Sequence, residues 1–495
     1  MTCCGNQHDI ALSSHNFTAI RGGGRKSLLP PRTVSLLAFL FAIAGGIFAV
    51  TPARAATPPS SDPPVAASAG SGGISQDGIP QDWAIYGQST LMLQYHPGFG
   101  SRTPTGPQSL ETGRRGNETF DATLYLGVRL WRGAEFWINP EADQGFGLQN
   151  TTGAAAFFSG EAYKVGQRDP YVRLPRAFLR QTVNLGGETE KIEPDLNVLG
   201  GSQTANRLVL TAGKFGVTDV FDTNKYAHDP RVDFANWALI DSGAFDYAAD
   251  AWGSTYGASV EWYRDWWTLR AGLFDLSVTP NSKYLDMRPG HQFEVVVEAE
   301  ERHTILGQPG KLKLLVYANR GQMVRLVDFT RAVATTGVAP GMASLRRLQT
   351  RTGFAVNLEQ SLTGDLGMFA RLSSSDGRYE TFDFTDIDRS VAAGLVLQGT
   401  RWARPDDVAG VGIAFNEISR ERLNFLRAGG LGVLVGDGKG LPANAGAEQL
   451  LEAYFNAAIV KALHVTLDYQ ILNHPAYNSG RGPVHVFGLR VRAQF

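Results

Sequence analysis

The last twelve residues of the chain, 484–495, alternate strictly between two kinds of side chain. Every second residue from Phe487 to Phe495 is apolar, whereas Arg490 and Arg492 lie on the other face. This period of two is typical of a β-strand with one apolar face and one wet face. A strand between lipid and a wet lumen explains both the alternation and the aromatic carboxyl terminus. If other segments repeat the pattern, the chain is predicted to cross an outer membrane as a barrel.

Composition limits the classes of protein that this chain can belong to. The 495 residues include 47 acidic and 46 basic side chains, so the charge balance does not favour nucleic acid as a partner. Past the N-terminal region, the sequence has no apolar run of about 18 residues, which excludes a bundle of transmembrane helices. A β-barrel remains compatible, because its lipid-facing residues alternate with lumen-facing ones.

The N-terminus carries an export signal. Basic residues such as Arg32 precede an apolar run at 34–50, and Ala53 and Ala55 follow it in the A-x-A pattern of a cleavage site. We therefore expect residues 1–55 to be a signal peptide that is cleaved after Ala55. The alternative is a signal anchor that stays on the chain.

The remaining chain is predicted to hold a linker and one domain. Residues 56–82 are rich in Pro, Ser, Gly and Ala, which indicates a flexible periplasmic linker. Residues 83–495 are predicted to form a single outer-membrane barrel domain. Both cysteines, Cys3 and Cys4, precede the apolar run, so the exported chain is expected to have no disulfide and no cysteine metal site.

Strand-like alternation recurs along the whole of this domain. Typical segments have the length of about 9–11 residues with which a tilted strand crosses a bilayer. The predicted strands are 84–94, 118–131, 134–143, 171–184, 206–215, 254–263, 266–276, 291–302, 311–320, 350–360, 365–374, 390–400, 408–418, 448–459, 463–473 and 484–495. The predicted fold class is all-β, a 16-stranded antiparallel transmembrane β-barrel of an outer membrane with inward-folded loops.

The connections between these segments alternate in length. Tight turns such as 132–133 and 264–265 are followed by long links such as 216–253 and 321–349. Short turns on the periplasmic rim and long loops on the other rim are expected of such a barrel. The link at 185–205 is an exception, because it falls where a short turn belongs.

Several hairpins predict which side chains face lipid. In the segment 254–263, Val260 and Trp262 alternate with polar residues, and in 463–473 the apolar Leu467 is followed by Asp468. The alternative is a water-soluble β-fold with its polar face outside. The export signal, the aromatic terminus and the alternating loop lengths favour the barrel, whose interior is expected to be wet.

No catalytic or metal-binding motif is present in the sequence. The patterns G-x-S-x-G, H-E-x-x-H, the EF-hand loop and the Rossmann glycine fingerprint are absent, and the histidines lack metal-ligand spacing. No cofactor and no metal is therefore expected. Carboxylates are plentiful, so residue types alone leave open a barrel enzyme that acts on lipid or glycan.

The richest polar segment is 214–253. It is too long and too aromatic for a mobile link, so we expect it to fold into the mouth or lumen of the barrel. There, aromatic rings could stack on a sugar while Asp, Asn and Arg bind its hydroxyls. The alternative is that these side chains only fasten the segment to the wall. The candidate pore-constriction and substrate-binding residues in it are Asp219, Asp222, Asn224, Tyr226, His228, Asp229, Arg231, Asp233, Asn236 and Trp237.

Charged residues are also predicted on the lumen faces of the strands. Near the bilayer midplane, a lipid-facing cation costs roughly 2–4 kcal/mol, whereas in a wet lumen it tunes selectivity. Arg129 and Arg270 join the candidate constriction on this ground. The alternative is that such charges pair with each other across the wall. The other predicted lumen-facing residues are Arg180, Arg371, Arg490, Arg492, Asp121, Glu261, Glu294, Glu298, Glu359, Glu452 and Asp468.

Two long blocks of the sequence resemble the OprB-type carbohydrate-selective porins of bacteria. The first is G-K-F-G…D-V-F-D-T-N-K-Y-A-H-D-P-R-V-D-F-A-N-W-A-L at 213–239, and the second is G-A-F-D-Y-A-A-D at 243–250. The D-Y-Q-I-L-N-H-P and F-G-L-R-V-R-A-Q-F stretches near the C-terminus also match, so the resemblance covers roughly 83–495. It implies a sixteen-stranded barrel with a lumen narrowed by inward loops, which passes monosaccharides and similar small polyols by facilitated diffusion.

The resemblance also implies a location and partners. The location is the outer membrane of a Gram-negative bacterium, where lipid and lipopolysaccharide surround the barrel. The resemblance leaves open whether the barrel forms a homo-oligomer. The terminal strand with Phe495 resembles the signal that barrel-insertion machinery reads. The expected function is passive transport of carbohydrates, and the alternatives are a barrel enzyme and a non-selective or structural barrel.

Overall fold

The computed structural model describes residues 81–162, 166–438, 440–441 and 444–495. The predicted signal peptide and the predicted linker up to residue 80 lie outside the described residues. The last two residues of that linker are hydrogen-bonded to the barrel. The amide of Gln81 donates to the carbonyl of Gly200 at 2.9 Å, and the carbonyl of Asp82 accepts from the amide of Arg129 at 2.7 Å.

Sixteen antiparallel strands close into one barrel, in which β1 pairs with β16. The strands are β1 (Trp83–His96), β2 (Arg115–Trp131), β3 (Ala134–Gly145), β4 (Gln167–Ile192), β5 (Gly201–Phe215), β6 (Thr255–Arg264), β7 (Trp267–Asp275), β8 (Phe293–Ile305), β9 (Gln308–Met323), β10 (Arg347–Ser361), β11 (Leu366–Ser375), β12 (Arg389–Gln398), β13 (Val408–Glu417), β14 (Glu448–Val460), β15 (Leu463–Asn473) and β16 (Val484–Gln494). Short α-helices lie in the long loops of the described chain: α1 (Trp237–Ile240), α2 (Leu326–Thr336), α3 (Met342–Leu345) and α4 (Arg420–Arg427). The predicted fold class is confirmed.

The C-terminal strand closes the barrel. Its residue Arg492 is paired in register with Thr90 of β1. Beyond the strand, the amide of Gly87 donates to the carbonyl of Phe495 at 3.1 Å, and the amide of Phe495 donates back at 2.9 Å. Closure gives every strand of the wall a partner on both sides, which a membrane-spanning sheet requires.

The two faces of the wall differ as the alternation predicts. Leu467 on β15 is 62% exposed on the outer face, whereas the next residue, Asp468, is 6% exposed and points inward. Val260 and Trp262 on β6 are exposed on the same outer face. Successive side chains of a strand point to opposite sides, so one register sets the whole apolar outer band. In the described part of the chain, no helix is both long and apolar enough to cross a membrane.

The two rims carry connections of different length. The short turns 132–133, 265–266, 306–307 and 461–462 lie at the rim where β1 begins and β16 ends, which we call the short-turn rim. Long connections such as 216–254 leave the opposite rim. This division is the one expected of an outer-membrane barrel.

The link predicted at 185–205 is mostly strand. β4 continues to Ile192 and β5 begins at Gly201, so the connection itself is only 193–200. β4 last pairs with β3 at Gln181, and β5 first pairs with β6 at Arg207. Residues 184–206 therefore form a two-stranded extension beyond the wall, which we call the rim hairpin. Polar residues fill both of its faces at 188–191, so a period of two gave no signal there.

Candidate functional site

The connection between β5 and β6, residues 216–254, folds into the barrel, and we call it the inward loop. Its middle reaches β14, where a carboxylate of Glu452 accepts the amides of Ala235 and Asn236 at 2.6 and 3.0 Å. Nearer its start, the amide of Asp222 donates to Glu298 on β8 at 2.8 Å. The predicted inward fold of this segment is therefore confirmed.

Arginines of the wall bind the backbone carbonyls of the inward loop. Arg490 on β16 donates to the carbonyls of Pro230, Val232 and Asp233 at 2.5, 2.7 and 2.9 Å. Arg371 on β11 donates to the carbonyls of Leu239 and Ala227 at 2.5 and 2.7 Å. Buried backbone groups need partners, and this loop obtains them from lumen-facing side chains instead of from a strand ladder.

Trp237 anchors the packed half of the inward loop. Its side chain is 4% exposed and stacks on Phe157 of the β3–β4 loop, with ring centroids 5.0 Å apart at 22°. Tyr247 and Phe384 lie against it at 5.7 and 5.5 Å. The indole therefore belongs to an aromatic cluster inside the barrel, and this part of the lumen is packed instead of wet. The expectation of a wet interior is wrong for this half.

Asn236 precedes α1 and fixes its start. Its side-chain oxygen accepts the amide of Ala238 at 3.0 Å, which is a typical helix N-cap. Its side-chain nitrogen donates to Gln470 on β15 at 3.0 Å and to the carbonyl of Ala156 at 3.1 Å. Because the residue is fully buried, its amide serves the fold of the loop.

Asp222 and Asn224 bind one residue of the wall, Asn357 on β10. The side-chain nitrogen of Asn357 donates to Asp222 at 2.7 Å, and that of Asn224 donates to Asn357 at 2.7 Å. Tyr226 packs so closely on β11 that a Cβ at Gly367 would lie 2.0 Å from its ring. These three candidates are buried and fasten the inward loop to the wall.

The other half of the inward loop faces β2, β3, β4 and β16, and its side chains are partly exposed. Arg231 is at its centre, with its guanidinium 3.1 Å from Glu161, 3.4 Å from Asp121 and 3.5 Å from Glu141. Asp219 accepts two hydrogen bonds from Arg176 on β4 at 2.7 and 2.5 Å.

Arg173 on β4 continues this arrangement, because it binds both Glu141 and Asp143 on β3. Cations and carboxylates thus alternate along one side of the lumen. A small cavity lies beside them, and its lining includes Asp143, Glu161 and Tyr171. We call the following residues the charged ladder: Asp121, Glu141, Asp143, Glu161, Arg173, Arg176, Asp219 and Arg231.

Three titratable residues of the inward loop flank Arg231 in the sequence. Burial and the negative charge of Asp229 raise the pKa of Asp233 to about 6. Burial would raise the pKa of Asp229 itself, but Arg231 and Arg492 outweigh it, and this pKa is lowered. Burial opposes the protonation of His228, but the hydrogen bond and the charge of Asp241 raise its pKa above the ordinary value.

The two wall arginines among the candidates lie apart from the charged ladder. Arg270 on β7 is held by Glu261, Glu298 and Glu300 at 3.0, 2.8 and 2.9 Å, and Glu298 in turn holds the inward loop. Arg129 lies at the short-turn rim, where its guanidinium donates to the carbonyl of Gly200 at 3.2 Å.

Sequence reasoning did not select five members of the ladder. The lumen faces of Glu141, Asp143 and Arg176 follow from the alternation in predicted strands, since Arg176 shares a face with Arg180, so this signal was available. Arg173 was hidden by a bulge: Glu141 pairs with Arg173 and Asn139 with Arg176, so three steps on β4 match two on β3. Glu161 lies in a loop, where alternation gives no information. The cation–carboxylate ladder can donate to and accept from hydroxyl groups.

Among the residues that the structure describes, no group of three or more His, Cys, Asp or Glu is placed to hold a metal ion.

The model of one protein family, "Carbohydrate-selective porin, OprB family", matches residues 107–495. No curated protein gives a significant match.

Solved structures of bacterial porins and channels resemble the barrel. The high-pH structure of OprB from Pseudomonas putida has a TM-score of 0.64 at 18% identity, covering 84% of this chain and 94% of that one. The low-pH structure of the same protein has a TM-score of 0.44 at 13% identity, covering 84% and 93%. The outer membrane channel DcaP of Acinetobacter baumannii has a TM-score of 0.45 at 12% identity, covering 86% and 99%.

Proposed function

Since the chain belongs to the carbohydrate-selective porins of the OprB family, and is therefore an outer-membrane carbohydrate channel of a Gram-negative bacterium, we propose that it selects small sugars at the charged ladder. Monosaccharides and similar small polyols would pass along the polar face that Arg231 of the inward loop forms together with the wall strands β2, β3 and β4. The observation that carries this proposal is the contact of Arg231 with carboxylates of two wall strands, at 3.4 Å to Asp121 and 3.5 Å to Glu141.

The chemistry of the ladder suits a neutral polyol. A sugar hydroxyl both donates and accepts hydrogen bonds, and the ladder offers guanidinium donors next to carboxylate acceptors. Because both signs of charge alternate along the path, a neutral solute can exchange its hydration shell for these groups without a strong preference for cations or anions. Binding has to stay weak, since a permeant must leave as well as enter.

The aromatic contribution is assigned to Tyr171 instead of Trp237. Trp237 is enclosed by other rings, so its faces are already occupied. Tyr171 lines the cavity beside the ladder, and its hydroxyl accepts a hydrogen bond from the indole of Trp252 at 3.0 Å. That hydrogen bond fixes the orientation of the phenol ring toward the solute path.

The fold and the family are those of a channel rather than an enzyme. A non-selective porin and a sugar-selective one differ in whether a sugar occupies the lumen. The test is single-channel recording in planar bilayers during titration with glucose. Saturable block of the ion current supports the proposal, and a current that glucose does not change contradicts it.

The variant Arg231→Gln locates the binding of the sugar. We expect weaker glucose block, because the guanidinium that joins the inward loop to the wall is lost. Arg389→Gln is the matched control, since this arginine lies exposed on the outer face at the rim opposite the short turns and pairs with Glu417 at 3.9 Å. Equal sugar block in both variants would place the binding site elsewhere.

We further propose three properties that lie outside the lumen. Signal peptidase removes residues 1–55, which the mass of the exported chain measures. Phe495, 60% exposed next to β1, contributes to recognition by the insertion machinery. Its deletion should then lower assembly in cells but not refolding into detergent. Lipid and lipopolysaccharide contact the apolar outer band. Whether the channel is a monomer or a homo-oligomer is a separate question, which the mass of the particle in a non-dissociating detergent answers.

A further inference from the structure

The rim hairpin does not extend straight away from the barrel. Nine residues of β4 lie beyond the wall, from Asn184 to Ile192. At about 3.3 Å per residue, a straight arm would carry its tip roughly 30 Å from the rim. The tip instead contacts the wall itself: Arg180, only four residues before Asn184, donates to the carbonyl of Asn197 at 2.7 Å. The arm therefore reverses its direction.

The reversal occurs at a pair of glycines. Gly186 and Gly187 have φ angles of +108° and +91°, which side chains other than glycine rarely adopt. The pairing of β4 with β5 shifts register on both sides of Gly186, first after Asn184 and then before Thr189. A Cβ at Gly186 would meet no atom within 4 Å, so the bend has open space around it. This is a hinge by geometry: a bulged, glycine-based joint between the wall and a separate two-stranded arm.

Side chains of the lumen hold the folded-back tip, which we define as residues 195–200. The guanidinium of Arg129 donates to the carbonyl of Gly200 at 3.2 Å, and the side-chain oxygen of Gln81 accepts the amide of Gly200 at 3.0 Å. Leu199 is 0% exposed and belongs to the buried apolar cluster that includes Tyr86 on the inner face of β1. The tip therefore lies within the mouth of the barrel at the short-turn rim.

The two arginines that hold the tip are tied together by one carboxylate. Glu135 on β3 lies 3.7 Å from Arg129 and 3.9 Å from Arg180. This arrangement fixes both guanidinium groups in the mouth and directs them at the backbone carbonyls of the tip. Contacts of this kind depend on the path of the backbone and not on one side chain of the tip.

We propose that the rim hairpin is a hinged flap that forms a second constriction at the periplasmic exit of the channel. A solute that leaves the charged ladder then passes the tip before it reaches the periplasm. The flap adds a resistance in series with the ladder, and its backbone carbonyls cover the guanidinium groups of Arg129 and Arg180 at the exit.

Deletion of residues 187–205 tests this proposal. It leaves Leu185, Gly186 and Asn206 as a three-residue turn between the paired residues Asn184 and Arg207, so every strand of the wall keeps its register. We expect the single-channel conductance to rise about twofold, the result for two equal resistances in series, because conductance follows the narrow parts of a pore. Glucose block of the deletion variant should persist, because the ladder is intact. An unchanged conductance overturns the proposal.

Leu199→Lys is the second variant, and it decides the matter if the deletion variant does not assemble. An ammonium group cannot remain in the apolar cluster and is repelled by Arg129 and Arg180, so the tip should leave the mouth and the conductance should rise in the same way. Arg132→Gln, in the exposed β2–β3 turn of the same rim, is the control and should conduct like the parent. If Leu199→Lys conducts like Arg132→Gln, the tip does not limit flow. Absence of glucose block in the parent would instead count against the function proposed for the ladder.

Discussion

A guanidinium nitrogen of Arg231 lies 3.1 Å from a carboxylate oxygen of Glu161, and this contact joins the inward loop to the loop between β3 and β4. The two loops thus meet inside the barrel beside the wall strands β2 and β3. Arg231 is surrounded by carboxylates from three different elements, so its positive charge lies at the centre of the charged ladder.

Replacement of Arg231 should change the ion preference of the channel. In Arg231→Gln, the carboxylates of Asp121, Glu141 and Glu161 lose a shared cation, so cations are favoured over anions. One charge at about 4 Å in water is worth about 1 kcal/mol, which is roughly fivefold in the ratio of cation to anion permeability. The reversal potential in a salt gradient measures this ratio. A shift toward anions would contradict the placement of Arg231 among these carboxylates.

Loss of Trp237 should loosen the inward loop without opening the wall. Truncation of a buried aromatic residue to alanine costs about 3–5 kcal/mol, and Trp237→Ala removes the ring between Phe157 and Phe384. We expect a lower temperature for the heat-induced change in gel mobility and greater noise of the open-channel current. Trp266→Ala, at a turn residue that is 58% exposed, is the control. Equal noise in the two variants would show that Trp237 does not hold the loop.

An arginine on the outer face of β15 should impair folding into lipid. Leu467 is 62% exposed at mid-strand, where a lipid-facing cation costs roughly 2–4 kcal/mol. Leu467→Arg should therefore give a much lower yield of folded protein in lipid vesicles, whereas Leu467→Phe keeps the yield of the parent. Equal yields would mean that this face of β15 is not in contact with lipid.

Alternation alone located the strands because a lipid-facing and a lumen-facing side chain have opposite solvation requirements. The rule failed where that contrast disappears. In the rim hairpin, side chains on both faces are exposed, as Glu188 and Lys191 show. The pairing also shifts register at Gly186–Gly187, so the sequence pattern predicted a link instead of strands. At the bulge of β4, Arg173 faces the lumen although its position relative to Arg180 predicts the opposite face.

The inward loop was recognisable from its length and its aromatic content, but the roles of its residues were not. Trp237 and Arg231 are equally plausible as pore residues in the sequence. The difference between them depends on partners that are distant in the chain: Phe157 and Phe384 enclose the indole, whereas wall carboxylates leave the guanidinium partly exposed. Tertiary packing of this kind has no local signature, so the choice between packing and solute contact required the structure.

Acidification should shift the ion preference of the channel toward anions. The pKa of Asp233 is about 6, so this carboxylate becomes neutral as the pH falls. The pKa of His228 is raised above its ordinary value, so the imidazole becomes positive over the same interval. Asp229 stays ionised because its pKa is lowered. Both titrations therefore add positive charge to the inward loop, Asp233 next to Arg490 and His228 next to Asp241.

The reversal potential in a salt gradient, measured from about pH 8 to about pH 5, follows this change across the titration range of histidine. Asp233→Asn and His228→Gln should each remove part of the shift, and the double variant should remove most of it. Ser344→Ala, at an exposed position in α3, is the control and should titrate like the parent. A pH-dependent shift of full size in the double variant would mean that other groups set the charge of the lumen, since only residues that face the solute path change its ion preference on titration.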